Sequence, residues 1–302
     1  NLFAKSDLDA ANIIRKNKIN ILINLVGYFE NNRFKIMKFK PAPIQVAWMG
    51  YVNTTGIEEI DYFLTDPNLV KENEENLYSE KIIKLPKIWN CHSEIKPIVE
   101  IENLPFLKND YITFGCFNNS QKVTYEVIET WSKILLKIDN AKILIKGSTS
   151  FSDIAHKNIM KKFERFNIDR SRILFFPRDK NTSDHYKNYN KIDISLDTFP
   201  FPGVTTSIES SWMGVPVLTL RGNNHISRAG ESININLGLV DFIAEDKNDY
   251  INKALTISKN IEKLKDIRKS LRGRALKSTL FDMGSFGKHF SDLLNKVWLN
   301  QN

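Results

Sequence analysis

Short apolar runs alternate with amphipathic stretches along most of this 302-residue chain. In residues 124–137 the large apolar side chains recur every three or four positions, a spacing that places them on one face of a helix. The runs predicted as strands, such as residues 172–177, are almost continuously apolar, which is typical of strands buried on both faces of a parallel sheet. The pattern therefore predicts an α/β fold with doubly wound parallel sheets.

The predicted elements form two groups separated by a segment that contains prolines. The first group has a helix at residues 7–16 and strands at 19–25, 44–50, 60–66 and 81–85. Residues 87–110 hold two prolines and several charges, which indicates a linker between two lobes. The second group has strands at 111–117, 141–147, 172–177, 193–198 and 216–220, helices at 124–137, 153–166, 183–190, 206–213 and 226–237, and an all-helical end at 247–298.

The composition, with 42% hydrophobic and 26% charged residues, is that of a globular protein. The chain has no run of about 18 apolar residues and no secretory signal pattern, so we expect no membrane partner. It does not begin with Met, and we expect that residues are missing upstream. Cys91 and Cys116 form no CxxC pair and the five histidines show no metal-binding spacing, so we expect a reducing, cytoplasmic setting and no bound metal.

The formal net charge of +8 admits two interpretations. A basic protein can bind nucleic acid. Here, however, the lysines are spread along the whole chain, with neither an Arg-rich run nor the aromatic signature of an RNA-binding sheet. We therefore expect no nucleic-acid partner, and we expect part of the positive charge to line a site for a nucleotide diphosphate.

Ligands of open parallel sheets bind beyond the carboxyl ends of the strands, and three loops of the second group carry polar chemistry there. Residues 116–123 include two asparagines and Lys122, which either bind a phosphate or cap the next helix. Residues 177–188 include Thr182, a candidate helix cap, and His185, which is either solvated or part of a site.

The third loop, residues 197–216, gives the strongest indication. A Pro-Phe-Pro-Gly turn follows a strand and leads directly into the start of a helix, where backbone N–H groups and the helix dipole attract anions. Gly203 lets a phosphate approach the backbone, and the following threonines add donors. Glu209 lies one turn further on, where a carboxylate can accept from ribose hydroxyls. A capped helix does not need both the glycine and the rigid turn, so the pattern favours an anion site; another helix start follows at 222–230.

Taken together, these loops resemble the catalytic region of the O-linked N-acetylglucosamine transferase and SPINDLY family, glycosyltransferase family 41. The matching motifs occur in the family's order and spacing and cover nearly the whole chain. They are KPAPIQVAWMGYVNTTGIEEIDYFLTD (40–66), YSEKIIKLP (78–86), FGCFNNSQKVT (114–124), DISLDTFPFPGVTTSIESSWMGVPVLTL (193–220) and SRAGESININLGL (227–239).

The resemblance implies a GT-B fold, in which two Rossmann-like lobes with parallel sheets face each other across a cleft. Residues 1–95 would form the C-terminal part of the first, acceptor-side lobe, and residues 96–110 the linker. Residues 111–302 would form the second, donor-binding lobe with its C-terminal helices, the last of which would pack back toward the first lobe. The upstream part of the first lobe and the tetratricopeptide repeats of the family would lie outside this sequence.

The resemblance also implies an inverting transfer of a sugar, N-acetylglucosamine above all, from a nucleotide diphosphate to Ser or Thr of a protein. No cofactor and no metal would be needed. The donor would be a UDP-sugar and the acceptor a protein or peptide. Two alternatives stay open, a GDP-sugar donor for fucosyl transfer and a nucleotide-binding fragment without catalysis.

Carried over position by position, Lys122 resembles the lysine that stabilises the leaving diphosphate, and His185 the histidine near the diphosphate and base. These two are the candidate catalytic residues, and no general base is assigned. The further donor-binding candidates are Asn119, Thr182, Gly203, Val204, Thr205, Thr206 and Glu209, and the candidates on the sugar and acceptor side are Arg33, Met49 and Gly50.

Three positions depart from the animal transferases of the family. Thr182 stands where they have a lysine that stacks on uracil, and Val204 stands where they have a histidine. Glu209 replaces an aspartate, as in the SPINDLY branch that uses a GDP-sugar. These departures leave the base and the sugar of the donor open.

Overall fold

The computed structural model describes residues 2–50, 53–147, 153–177 and 179–300. The chain forms two compact units. Unit 1 comprises Asn1–Cys91 and Asp282–Asn302, and unit 2 comprises His92–Phe281. The described residues of each unit contain a parallel sheet, which confirms the predicted α/β class.

In the described part of unit 1, four strands pair in chain order, β1-β2-β3-β4, and every pair is parallel. Each strand lies inside the apolar run that predicts it, because the ends of each run leave the sheet and enter loops. Two short elements were not predicted, since neither is long enough to show a helical period. The elements are α1 (Asp7–Lys16), β1 (Ile21–Asn24), α2 (Phe34–Lys38), β2 (Ile44–Ala47), β3 (Tyr62–Thr65), a 3₁₀ turn at Glu72–Leu77 and β4 (Lys81–Lys84).

The last helix, α11 (Met283–Leu299), belongs to unit 1. Val297 is buried in the core cluster of the first sheet, and the Trp48 ring lies 4.7 Å from the Phe290 ring. The division drawn from the sequence grouped this helix with residues 111–302, although the family resemblance implied that the last helix packs back toward the first lobe. The structure places it in unit 1 instead, because its apolar face is buried against the sheet of that unit.

The sheet of unit 2 has the order β10-β9-β8-β5-β6-β7 among the described strands. The first strand of the unit, β5 (Thr113–Cys116), therefore lies in the middle, with β6 (Lys142–Lys146) and β7 (Ile173–Phe176) on one side. On its other side lie β8 (Ile194–Leu196), β9 (Val217–Leu220) and β10 (Ile243–Ala244), of which β10 was not predicted. This is the strand order of a Rossmann fold, and its switch point lies between β5 and β8.

The helices of unit 2 follow the predicted ones with differences at their ends. In α4 the predicted apolar face is buried, Trp131 included. The predicted helices at 183–190 and 226–237 each contain a 3₁₀ turn, at Asn188–Lys191 and Ile226–Arg228. The helices are α3 (Phe106–Asn109), α4 (Tyr125–Lys137), α5 (Asp153–Glu164), α6 (Thr182–Lys187), α7 (Thr205–Trp212), α8 (Ala229–Asn236), α9 (Lys247–Lys259) and α10 (Ile261–Lys277). Among the described residues, no helix combines the length and the apolar character needed to cross a bilayer.

The segment predicted as a linker, residues 96–110, is bound to unit 2. The guanidinium of Arg268, a residue that is 2% exposed, donates to the Glu102 carbonyl oxygen at 3.1 Å. On the same helix, Arg272 donates to the Val99 carbonyl oxygen at 2.8 Å. Buried backbone groups of an irregular segment need such partners. The segment is therefore part of unit 2 and not a loose connection between lobes.

Replacing Arg268 with Met should lower the free energy of unfolding by roughly 1–3 kcal/mol, because the carbonyl groups of Glu102 and Ile192 lose their buried donor. Urea denaturation followed by circular dichroism measures this change. The matched control is Arg274→Met on the same helix, where the side chain is exposed, and it should change stability by less than about 0.5 kcal/mol. Equal effects of the two substitutions would contradict the assigned role.

Candidate functional site

A buried carboxylate lies at the switch point of unit 2. Asp197, the residue after β8, is 1% exposed. Its Oδ1 accepts from the Gly203 N–H at 2.7 Å and from Asn118 Nδ2 at 2.9 Å, and its Oδ2 accepts from the Thr219 hydroxyl at 2.9 Å. Burial raises the pKa of Asp197, while these hydrogen bonds and the Lys122 charge oppose the shift. One side chain therefore joins β9 to the loops that follow β5 and β8.

Asn118, the neighbour of the predicted Asn119, is the buried amide of this cluster, and the role of Asn119 at the nucleotide stays a prediction. Asn118 is 5% exposed; its Nδ2 also donates to the Thr198 hydroxyl at 2.9 Å, and its Oδ1 accepts from the Thr206 hydroxyl. Asn119 is exposed, and its side chain accepts from the Gln121 N–H at 3.1 Å. Asn119 thus caps a 3₁₀ turn, whereas its neighbour connects β5 to the start of α7.

The first turn of α7 presents its backbone N–H groups without a side-chain cap. Val204 occupies the N-cap position, and its side chain makes no capping hydrogen bond. The Thr206 hydroxyl donates to Asn118 and does not cap the helix, while Thr205 is exposed. Because the first N–H groups of a helix have no partner within the helix, this end of α7 can accept an anion.

Gly203 is required at its position by close packing. A Cβ atom there would lie 2.5 Å from the Thr206 Oγ1 and 2.6 Å from the Asn118 Oδ1. Both distances are far shorter than a van der Waals contact, so any side chain would separate the two residues that hold the start of α7. The glycine predicted to admit a phosphate thus also admits the hydrogen bond between Asn118 and Thr206.

Lys122 reaches from the loop after β5 to the turn before α7. Its Nζ donates to the Pro202 carbonyl oxygen at 2.7 Å and lies 3.9 Å from the centre of the Phe201 ring. Partial burial lowers the pKa of Lys122, and the charge of Asp197 opposes this shift. The structure therefore brings this lysine to the turn that precedes α7, and its role at a diphosphate stays a prediction.

A second polar cluster lies beyond the ends of β6 and β7. The Nζ of Lys146, a side chain that is 4% exposed, lies 2.9 Å from the Asp179 Oδ2 and 2.7 Å from the His185 Nδ1. The His185 Nε2 lies 3.0 Å from the Glu209 Oε2, which also accepts from the Tyr189 hydroxyl at 3.2 Å. The predicted residues His185 and Glu209 are thus in direct contact, and both ring nitrogens of His185 are engaged.

A small cavity borders this second cluster. It has a volume of about 290 Å³ and is lined by Lys146, Asp179, Lys180, Asn181, Thr182 and His185. The predicted cap Thr182 lies on this cavity, whereas the cap of α6 is Asn181, which accepts from the Asp184 N–H at 2.9 Å. A larger cavity of about 790 Å³ lies along residues 100–109, with Asn190 and Lys191, and none of the predicted site residues lines it. Size alone therefore does not identify the site.

The three candidates for the sugar and acceptor side lie in unit 1. Met49 and Gly50 have positive φ values of 63° and 50°. A Cβ on Gly50 would lie 2.4 Å from the Val26 carbonyl carbon, so the turn packs closely on the loop after β1. Arg33 pairs with Asp7 at 2.7 Å and anchors the residues before α1. An acceptor role for these residues stays a prediction.

Several residues of the two clusters were not among the predicted site residues. Lys146 and Asp197 carry a sequence signal, because each is a charged residue at the carboxyl end of an apolar strand run. The other residues lack such a signal, since an amide, a carboxylate or a tyrosine in a polar loop is common. The residues in question are Asn118, Lys146, Asp179, Tyr189 and Asp197.

The fold and the site together define a class of protein. Parallel sheets in both units, with polar loops at the switch point of unit 2, agree with the fold of GT-B glycosyltransferases, and comparison with solved structures supports this class. The structure of a Thermobaculum terrenum O-GlcNAc transferase mutant matches with a TM-score of 0.93 and 28% identity, over 99% of this chain and 56% of that chain. The structure of TarM matches with a TM-score of 0.60 and 14% identity over 94% of this chain and 57% of that chain, a likeness of fold alone.

The sequence comparisons give the family. Residues 4–94 and 91–290 match glycosyl transferase family 41, and the chain belongs to this family. A Hordeum vulgare protein described as a probable UDP-N-acetylglucosamine–peptide N-acetylglucosaminyltransferase SPINDLY is 33% identical over 297 residues. The match covers 98% of this chain and 32% of that protein. The chain thus spans about a third of the length of the curated relatives it matches.

Replacing Gly203 with Ala should lower the free energy of unfolding by roughly 1–3 kcal/mol, because the methyl group forces Thr206 away from Asn118. Thermal or urea denaturation measures the change. The control is Gly273→Ala in α10, where a Cβ meets nothing within 4 Å, and where alanine should raise stability by up to about 1 kcal/mol. Unchanged stability in Gly203→Ala would show that the packing around this glycine is looser than described.

Proposed function

We propose that this chain is the donor-binding part of an enzyme that transfers N-acetylglucosamine from a UDP-sugar to Ser or Thr side chains of proteins. The observation that carries the proposal is the convergence of Lys122 and the uncapped start of α7 on the turn at residues 199–203. An ammonium group and a helix N-terminus together suit a diphosphate. Membership of family 41 supports the reaction.

The chemical task of this site is to stabilise the departing nucleoside diphosphate. Negative charge builds up on the diphosphate as the bond from the sugar breaks, so donors that are already in place lower the barrier. Lys122 and the first N–H groups of α7 supply such donors. We include a metal-independent reaction in the proposal because these groups supply positive charge from the protein itself, and an inverting one because the family resemblance implies it.

The remainder of the nucleotide would lie on the second cluster. The Glu209 Oε2 is engaged by His185 and Tyr189, and its Oε1 makes no hydrogen bond to a residue that the structure describes. This oxygen suits a ribose hydroxyl, and the cavity that Thr182 lines suits the base. His185, with both ring nitrogens engaged, would shape the nucleotide site and not act as a general base.

The names of the relatives support UDP-N-acetylglucosamine as the donor and a peptide as the acceptor. We include in the proposal a cytoplasmic setting and an acceptor side in unit 1 around Arg33, Met49 and Gly50. A GDP-sugar is the second candidate donor, because Glu209 stands where the resemblance gives the SPINDLY branch a glutamate.

Calorimetric titration with UDP and then with GDP tests the proposal. We expect UDP to bind, and Lys122→Ala to weaken binding by at least about tenfold, the effect of removing one charged hydrogen-bond donor. The matched control is Lys142→Ala, because Lys142 is also half-buried and lies over a ring, that of Tyr111, but at the amino end of β6.

The outcomes of the titration test the donor base, the role of Lys122 and the donor site separately. Tighter binding of GDP than of UDP would favour the GDP-sugar donor and contradict the UDP-sugar. Equal affinities in Lys122→Ala and the native chain would contradict the diphosphate role of Lys122. Binding of neither nucleotide would contradict the donor site as a whole. Retained transfer to a peptide by a Lys122→Ala enzyme would contradict a role of this lysine in catalysis.

A further inference from the structure

The buried lysine Lys146 contacts His185, one of the residues that the proposed function assigns to the nucleotide site. We propose that Lys146 is a positioning residue: it selects the protonated ring nitrogen of His185 and thereby fixes the Glu209 carboxylate that faces the ribose. The inference rests on the proposed function, because it concerns the same site. Lys146 contacts His185 and Asp179 and also lines the small cavity, and the inference concerns its action through His185.

The ammonium group of Lys146 is held in one place. Lys146 is the last residue of β6 and is 4% exposed. The Asp179 Oδ2 lies 2.9 Å from its Nζ, and Asp179 in turn accepts from the Asn188 Nδ2 at 3.0 and 2.9 Å. A buried ammonium is costly without such a partner. The pairing with Asp179 offsets this cost and leaves the remaining Nζ protons for other acceptors.

The ammonium group of Lys146 and the carboxylate of Glu209 favour the same tautomer of His185. An ammonium group has three donors and no acceptor. The His185 Nδ1, 2.7 Å from the Lys146 Nζ, must therefore accept. The proton of the neutral ring then resides on Nε2, from which it is donated to the Glu209 Oε2 at 3.0 Å. In the other tautomer an N–H group would face the ammonium, and Glu209 would face a bare nitrogen.

The orientation of Glu209 follows from this chain of donors. Its Oε2 accepts from both His185 and the Tyr189 hydroxyl, and its Oε1 has no partner among the described residues. Glu209 lies four residues beyond Thr205, which is about 6 Å along the helix from the start of α7. A ribose attached to a diphosphate at that start would lie at this distance. The fixed Oε1 is thus the acceptor for a ribose hydroxyl.

The first experiment reads the tautomer directly. Long-range proton–nitrogen NMR of ¹⁵N-histidine-labelled protein, with His185→Gln to assign the signal, should show His185 protonated on Nε2 at a pH where the ring is neutral. Lys146→Met, which keeps the length but removes the donors, should give a mixture of tautomers. Lys146→Arg should restore the native pattern. Lys142→Met, on the same strand, should leave it unchanged.

The second experiment measures how much the ribose hydroxyls contribute to nucleotide binding. The native chain should bind UDP at least about tenfold more tightly than 2′,3′-dideoxy-UDP, since the analogue lacks the hydroxyls that donate to a carboxylate. In Lys146→Met this ratio should fall toward one, mainly through weaker binding of UDP. Lys146→Arg should recover much of the ratio. A purely structural role for Lys146 would instead weaken both nucleotides equally.

The outcomes separate the inference from the proposed function. A native chain that binds neither nucleotide contradicts the proposed function, and the role of Lys146 at the ribose falls with it. Native binding with an unchanged tautomer and an unchanged ratio in Lys146→Met overturns the inference alone. If Lys146→Met does not fold, Lys146→Gln tests the same link, because an amide can either donate to or accept from the His185 ring and so selects neither tautomer. An unchanged ratio there also overturns the inference.

Discussion

The candidate site depends on one buried carboxylate, that of Asp197. A carboxylate with 1% exposure is stable only when hydrogen bonds replace the water it has lost. Its donors come from Asn118, Gly203 and Thr219, so the loops after β5 and β8 and the strand β9 are joined at one point. The turn before α7, and with it the uncapped helix start, follows from this arrangement. The groups that would meet an anion are therefore positioned by a residue that is itself shielded from solvent.

The order of the strands explains why two polar clusters form and why they lie on either side of β5. Connections from β5 lead to β6 on one side, and the chain returns to β8 on the other, which leaves a crevice at the carboxyl ends. The Lys122 cluster is joined to the β8 side and the Lys146 cluster to the β6 side. A nucleotide bound across the crevice would place its diphosphate on the Lys122 cluster and its ribose and base on the Lys146 cluster. This arrangement supports the proposed donor.

The charged side chains of both clusters form hydrogen bonds to other groups of the protein. Asp197 and Asp179 are each bound by donors from the protein. Among the described residues, the first turn of α7 lacks a side-chain cap and the Glu209 Oε1 lacks a hydrogen-bond partner, which leaves a donor set and an acceptor for a ligand. Because these groups are held before a ligand arrives, little reorganisation would accompany binding, and this is the condition under which fixed charges act most strongly on a reaction.

The sequence by itself determined the α/β class, most strands and helices, and the loops that carry chemistry. Local patterns of apolar residues predict buried parallel strands and amphipathic helices, and turn residues determine the backbone conformation only of their own loop. Only the tertiary structure decided that Asn118 is buried beside Asp197 while Asn119 is exposed, because these neighbours share one local sequence pattern and their side chains point in different directions. It also decided that Asn118 meets Asp197, 79 residues away, that Lys146 meets His185, and that α11 joins unit 1. Such contacts depend on sheet order and on which core receives a helix face, and neither is encoded in any short stretch of chain.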